Sequence, residues 1–131
     1  MRMVGLLRDL EPRATAALPS LSALRGELGD EHVERVVAYL RSGEIASDAM
    51  EIVVDPFDSS VQIAGGSGLQ SDGVWVWRQD LWHYVLRYRI GLPREFIDHT
   101  LRGEQAPLSA AQCGAAMEVS AKALRPPDPK R

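Results

Sequence analysis

Three groups of side chains in this sequence have types and spacings that could act on a ligand or substrate. The first is a set of carboxylates, Asp48, Glu51, Asp55, Asp58, Asp72 and Asp80, crowded into the middle of the chain. Two carboxylates facing each other across a cleft can divide general acid and general base work. Each acid also has a structural task at hand: Asp55 and Asp58 flank a turn, Asp72-Gly73 is a favourable turn pair, and Asp80 is placed to cap a helix. The second group is His83 and His99, with Asp80 and Asp98 near them in the sequence. Together they offer nitrogen and oxygen ligands, but there is no HxxxH, no HExxH and no second cluster, so no metal and no other cofactor is expected. The third is Cys113, which has no histidine or acid at a telling spacing and reads as a small apolar side chain. Gly65-Gly66-Ser67-Gly68 is glycine-rich but lacks the lysine of a phosphate loop and precedes a strand, so it reads as a permissive β-loop. No catalytic residue is assigned.

Arginine interleaved with aromatic groups is a further signal. Arg78, Arg87, Arg89 and Arg94 alternate with Trp75, Trp77, Trp82, Tyr84 and Tyr88. That composition suits stacking on single-stranded nucleic acid, and equally the anchors of a protein interface. A formal charge of −3 and a pI near 5.6 decide for the protein partner, and no nucleic acid is expected. The expected partner-binding set is Trp82, His83, Arg87 and Arg94 on one flank, with Asp55 and Asp58 from the acidic loop.

These residues must be positioned by a small number of elements. Asp72-Gly73 makes a tight turn, Val74 to Trp77 a strand covered on both faces, and Leu81 to Arg89 a helix with Leu81, Tyr84, Val85 and Tyr88 in one stripe. Gly91 supplies a left-handed stop, and Pro93 opens a second helix that Gly103 ends. Upstream, Asp30 caps a helix carrying Val33, Val36, Val37 and Leu40, closed by Gly43. Met50 to Val54 and Ser59 to Ile63 read as strands, and Leu69 to Ser71 pairs with Val74 onward as a hairpin. Met1 to Leu10 reads as a short helical segment with Val4 and Leu7 facing inward, and Ser20 caps another short helix. Ser109 caps an alanine-rich helix reaching about Leu124, ahead of Pro126, Pro127 and Pro129.

The fold expected is α+β: a small antiparallel sheet of three or four strands flanked by helices, with an Ala-rich C-terminal helix. Spacings between strands are too short for parallel crossovers. At 131 residues, 45% of them hydrophobic, residues 1–103 suit one domain, with 1–29 loosely ordered and 104–131 an Ala/Pro-rich tail. One cysteine excludes an intrachain disulfide. The opening MRMVGLLRDLEPR has too short an apolar run for a secretory leader, and no run is long enough to span a membrane. A cytoplasmic, reduced setting is expected, with the oligomeric state left open.

DGVWVWRQDLWHYVLRYRIGLPREFIDH and, upstream, VERVVAYLRSG together resemble two blocks of a family of small proteins from high-GC Gram-positive bacteria. The resemblance covers about half the chain and carries over no catalytic residue. In size, charge and organisation the chain is also loosely similar to immunity proteins and antitoxins. The expectation is therefore a non-enzymatic protein-binding module that neutralises a partner, such as a toxin. The alternatives are a small hydrolase using carboxylates among Asp48, Glu51, Asp55 and Asp58, with His83 as an optional helper, and an assembly subunit that packs its alanine-rich tail on a neighbour.

Overall fold

The computed structural model describes residues 1–103, 105 and 107–125. In chain order its elements are β1 (Arg2–Met3), α1 (Leu21–Leu24), α2 (Asp30–Ser42), β2 (Glu44–Ser47), β3 (Ile52–Asp55), β4 (Asp58–Ala64), β5 (Leu69–Ser71), β6 (Trp75–Arg78), α3 (Leu81–Tyr88), α4 (Arg94–Arg102) and α5 (Ala110–Leu124). This is an α+β fold. The main sheet has the order β1-β6-β5-β2, and β3 and β4 form a separate two-stranded hairpin.

β6 is central because its sequence lets it be covered on both faces. Trp75, Val76, Trp77 and Arg78 are all buried. The Asp72-Gly73 turn sends β6 back along β5, pairing Ser71 with Val76 and Leu69 with Arg78. Gly73 has φ +93°, a conformation glycine adopts without a steric cost. On one side of the sheet, Phe96 of α4 meets the edges of Trp75 and Trp77 at ring-centroid distances of 5.3 and 5.8 Å. α2 packs against α3 and α4, and Trp77 Nε1–H donates to the Leu40 carbonyl at its C-terminus (3.2 Å). Gly43, which ends α2, leaves room for the Trp77 ring, where a Cβ would overlap it. α5 lies against β1, β2, β5 and β6, its alanines allowing close approach, with Ala116 fully buried. Ser109 and Gln112 form a capping box at its start, as the sequence implies.

Several expectations are corrected. Arg2–Met3 forms a strand parallel to β6, not part of a helix, so the main sheet is mixed. A two-residue strand carries no periodicity, and its partner lies more than seventy residues away. The first 29 residues supply Val4, Leu7, Leu21 and Leu28 to the core and are not a loose extension. Asp80 sits at the N-cap of α3, but its carboxylate takes the Arg78 guanidinium instead of the helix N–H groups. Gly29 is the N-cap of α2, and Asp30, one residue on, pairs with Arg89 (2.6 Å). The left-handed stop of α3 is Arg89 (φ +49°) and not Gly91. Gly91 is small for another reason: a Cβ there would overlap the Glu27 side chain.

Candidate functional site

Sequence neighbours decide little where β3 ends against α3 and a buried polar group joins distant residues. Asp55 closes β3 with its side chain turned inward, and only 1% of the residue is exposed. α3 presents His83 and Tyr88 to it. The Tyr88 hydroxyl donates to Asp55 Oδ2 (2.7 Å), and His83 Nε2 lies 2.8 Å from the same oxygen. An ionised carboxylate only accepts, so Nε2 carries the proton and donates. The Phe57 N–H donates to Oδ1 (2.8 Å). Burial acts to raise the Asp55 pKa, but these three donors outweigh it and hold the acid below its ordinary value. Tyr88 is correspondingly pushed up by burial and by its bond to Asp55.

The same constellation recurs around Asp72, in the β5–β6 turn. Asp72 Oδ2 accepts from the Tyr39 hydroxyl and from His99 Nε2 (2.8 Å), while Oδ1 accepts from the Val74 and Trp75 N–H groups (2.8 and 2.7 Å). Burial opposes ionisation here too, and the Trp75, Tyr39, Val74 and His99 donors overcome it, leaving the acid below its ordinary value. One Tyr–Asp–His group ties the hairpin to α3. The other ties the β5–β6 turn to α2 and α4. A third buried cluster joins Arg78 to Asp80 through two bonds (3.0 and 2.9 Å) and to Glu11 (2.7 Å). Burial works against the Arg78 charge, but the partnership with Asp80 and Glu11 holds its pKa above the ordinary value. In all three clusters the polar groups answer one another, as buried polar groups must.

The hairpin that Asp55 anchors presents a different outer face. Val53 pairs with Ile63 on the inward side, whereas Ile52 opposite Ala64 and Val54 opposite Gln62 face outward. Ile52 and Val54 are 62% and 45% exposed, and Met50 just before them is fully exposed. None of these outward residues is charged. Asp58, at the start of β4, is paired with Arg87 of α3 (2.7 Å). The Ser60 hydroxyl, Arg87 and the Ser60 N–H together lower its pKa to about 2. Phe57, half exposed, meets the edge of Tyr88 at 6.0 Å between centroids.

Of the six residues expected to meet a partner, the fold gathers five. Asp55 and His83 are bonded inside the junction, Asp58 and Arg87 form its outer ion pair, and Trp82 lies beside His83 with ring centroids 5.9 Å apart. Trp82 is partly buried, with the Arg41 guanidinium 4.4 Å over its ring. Arg94 lies elsewhere, exposed on α4 near Asp98. Asp55 and His83 are buried, so they fix the hairpin from inside and present no surface of their own. The sequence reading missed Tyr88, Tyr39 and the Asp72 cluster, because their partners are separated by 27 to 33 residues and no local pattern links them. It also missed the outward apolar face of β3, because Ile52, Val53 and Val54 are all apolar and no polar alternation tells the inward side from the outward one.

The hydrolase carboxylates are divided. Asp55 is internal and Asp58 is ion-paired, while Asp48 and Glu51 open with Glu11 onto a concavity of about 440 Å³ that also holds Ser47 and Arg78. Among the described residues no group of three or more His, Cys, Asp or Glu side chains is arranged to hold a metal ion, and no helix is long and apolar enough to cross a membrane. No protein-family model, curated protein or solved structure matches the chain.

Proposed function

We propose that the chain is a non-enzymatic protein-binding module of the immunity or antitoxin kind, acting in the cytoplasm by occupying a basic partner. The observation that carries this reading is the β3–β4 hairpin. Among the described residues its outer face of Ile52, Val54, Gln62 and Ala64 is exposed and uncharged, while its inner side is fixed by the Asp55–His83–Tyr88 group. An apolar centre is the anatomy of a protein interface, and the Asp58–Arg87 ion pair ties the hairpin that carries it to α3. Among the described residues both strands also keep one unpaired edge, to which a partner strand can add. The net charge of −3 speeds encounter with a basic protein and disfavours acidic ones. Affinity capture from the native host with mass spectrometry tests the reading. One basic protein recovered in stoichiometric amount supports it; no stable partner counts against it.

A small hydrolase is the second reading, favoured by the shared concavity of Asp48, Glu51 and Glu11. It requires that Asp48→Asn and Glu51→Gln each abolish a measurable hydrolysis by the wild-type chain. A panel of ester, glycoside and phosphoester substrates left intact by wild type removes it.

A further inference from the structure

On a face separate from the hairpin, the loop after α1 and the loop after α3 run side by side. Three backbone hydrogen bonds lace them together: Gly26 N–H to the Tyr88 carbonyl (3.0 Å), Leu28 N–H to the Arg89 carbonyl (3.1 Å), and Gly91 N–H to the Leu24 carbonyl (2.8 Å). The result is a fixed ledge, with the exposed Glu27 side chain lying over Gly91. Two concavities meet at this ledge and share Glu27, Gly91 and Leu92. The larger, about 590 Å³, has Leu28, Leu92, Ile97 and Leu101 among its lining. The smaller, about 360 Å³, is lined mainly by apolar residues, among them Val4, Leu6, Leu24 and Pro93, and among the described residues Glu27 is the one charged residue in it.

Charge is arranged around this apolar floor with one sign in excess. Glu27, Glu31 and Asp98 line the larger concavity against the single guanidinium of Arg94. Arg94 approaches Asp98 only at 3.9 Å, and the Glu27 carboxylate has no ion-pair or hydrogen-bond partner among the described residues, its backbone N–H alone being bonded, to the Leu24 carbonyl. A carboxylate between two apolar hollows matches a segment with the complementary order: apolar, basic, apolar.

We infer that this groove is a second binding surface, which takes an extended segment of a partner protein. Two apolar side chains enter the two hollows, and a lysine or arginine between them on the same side of the segment meets Glu27. In an extended chain alternate residues share a side, so the pattern is apolar-x-basic-x-apolar. The groove does not depend on the hairpin, and either surface can fail without the other.

The test uses the full chain, ¹⁵N-labelled, titrated with the capped peptide Leu-Ser-Lys-Ser-Leu while amide shifts are followed by NMR. Saturable shifts are expected at Leu28, Gly91, Leu92 and Ile97. The peptides Leu-Ser-Glu-Ser-Leu and Ser-Ser-Lys-Ser-Ser should bind at least ~5-fold more weakly, because each lacks one half of the match. Glu27→Gln, at an exposed position, should keep the thermal melt and weaken the lysine peptide by up to ~5-fold, the range of an exposed ion pair. Ile52→Ser on the hairpin should leave this titration unchanged. The inference is overturned if the three peptides bind alike, if shifts fall outside the groove, or if no saturable binding occurs. It is also overturned if the same amides shift with protein concentration alone, since the occupant would then be a second copy of the chain.

Discussion

Asp55 and Asp72 each collect a tyrosine hydroxyl, a histidine Nε2–H and backbone N–H in one carboxylate, so their loss strands several buried donors at once. Asp55→Ala should cost about 3 kcal/mol in denaturant unfolding, the range for breaking a buried charged network. Tyr84 gives the contrast. It is fully buried, yet its hydroxyl has no partner among the described residues, so Tyr84→Phe should change stability by no more than ~0.5 kcal/mol. Tyr88→Phe, which removes a donor to Asp55, should cost more. Acid should act through the same groups. Because the folded chain holds Asp55 and Asp72 below the ordinary carboxylate range, the unfolded chain binds protons first as pH falls. Their contribution is whole above about pH 4 and drains away as pH falls through the lower folded values. An acid titration of stability should therefore be shallower in Asp55→Ala than in wild type.

At the scale of elements, the close contacts are between helix ends and the sheet. Gly43→Ala would drive a methyl group into the Trp77 ring where α2 stops, and should cost about 1–3 kcal/mol, the range for overpacking. Ala116→Leu on the buried face of α5 should destabilise for the same reason, by lifting the helix off the sheet. These elements differ in how far the sequence discloses them. The Asp72-Gly73 hairpin, the Val33–Leu40 stripe of α2 and the Ser109 cap of α5 are local patterns, and each is read from residues within one or two turns. β1 is two residues long and parallel to a distant strand, so nothing nearby marks it. The separation of β3–β4 from the main sheet is equally invisible locally, because strand propensity does not name a strand's neighbour. Trp82, Arg87 and Asp58 could be singled out by type, whereas the pins that hold them required the fold to bring Asp55 to His83 and Tyr88.

Seen whole, the molecule keeps its Tyr–Asp–His groups and the Arg78–Asp80 pair inside and leaves Met50, Ile52 and Val54 exposed. The buried polar clusters join elements to one another, and among the described residues the outer face of the hairpin stands exposed. That division is what a binding module requires, since a preformed surface loses little freedom on association. The measurement that bears most directly on it is a calorimetric titration of the captured partner into wild type and into an Ile52→Ser/Val54→Ser double variant of matched thermal stability. The proposed function predicts at least ~10-fold weaker binding by the double variant, the loss of an interface centre. An unchanged Kd would contradict it.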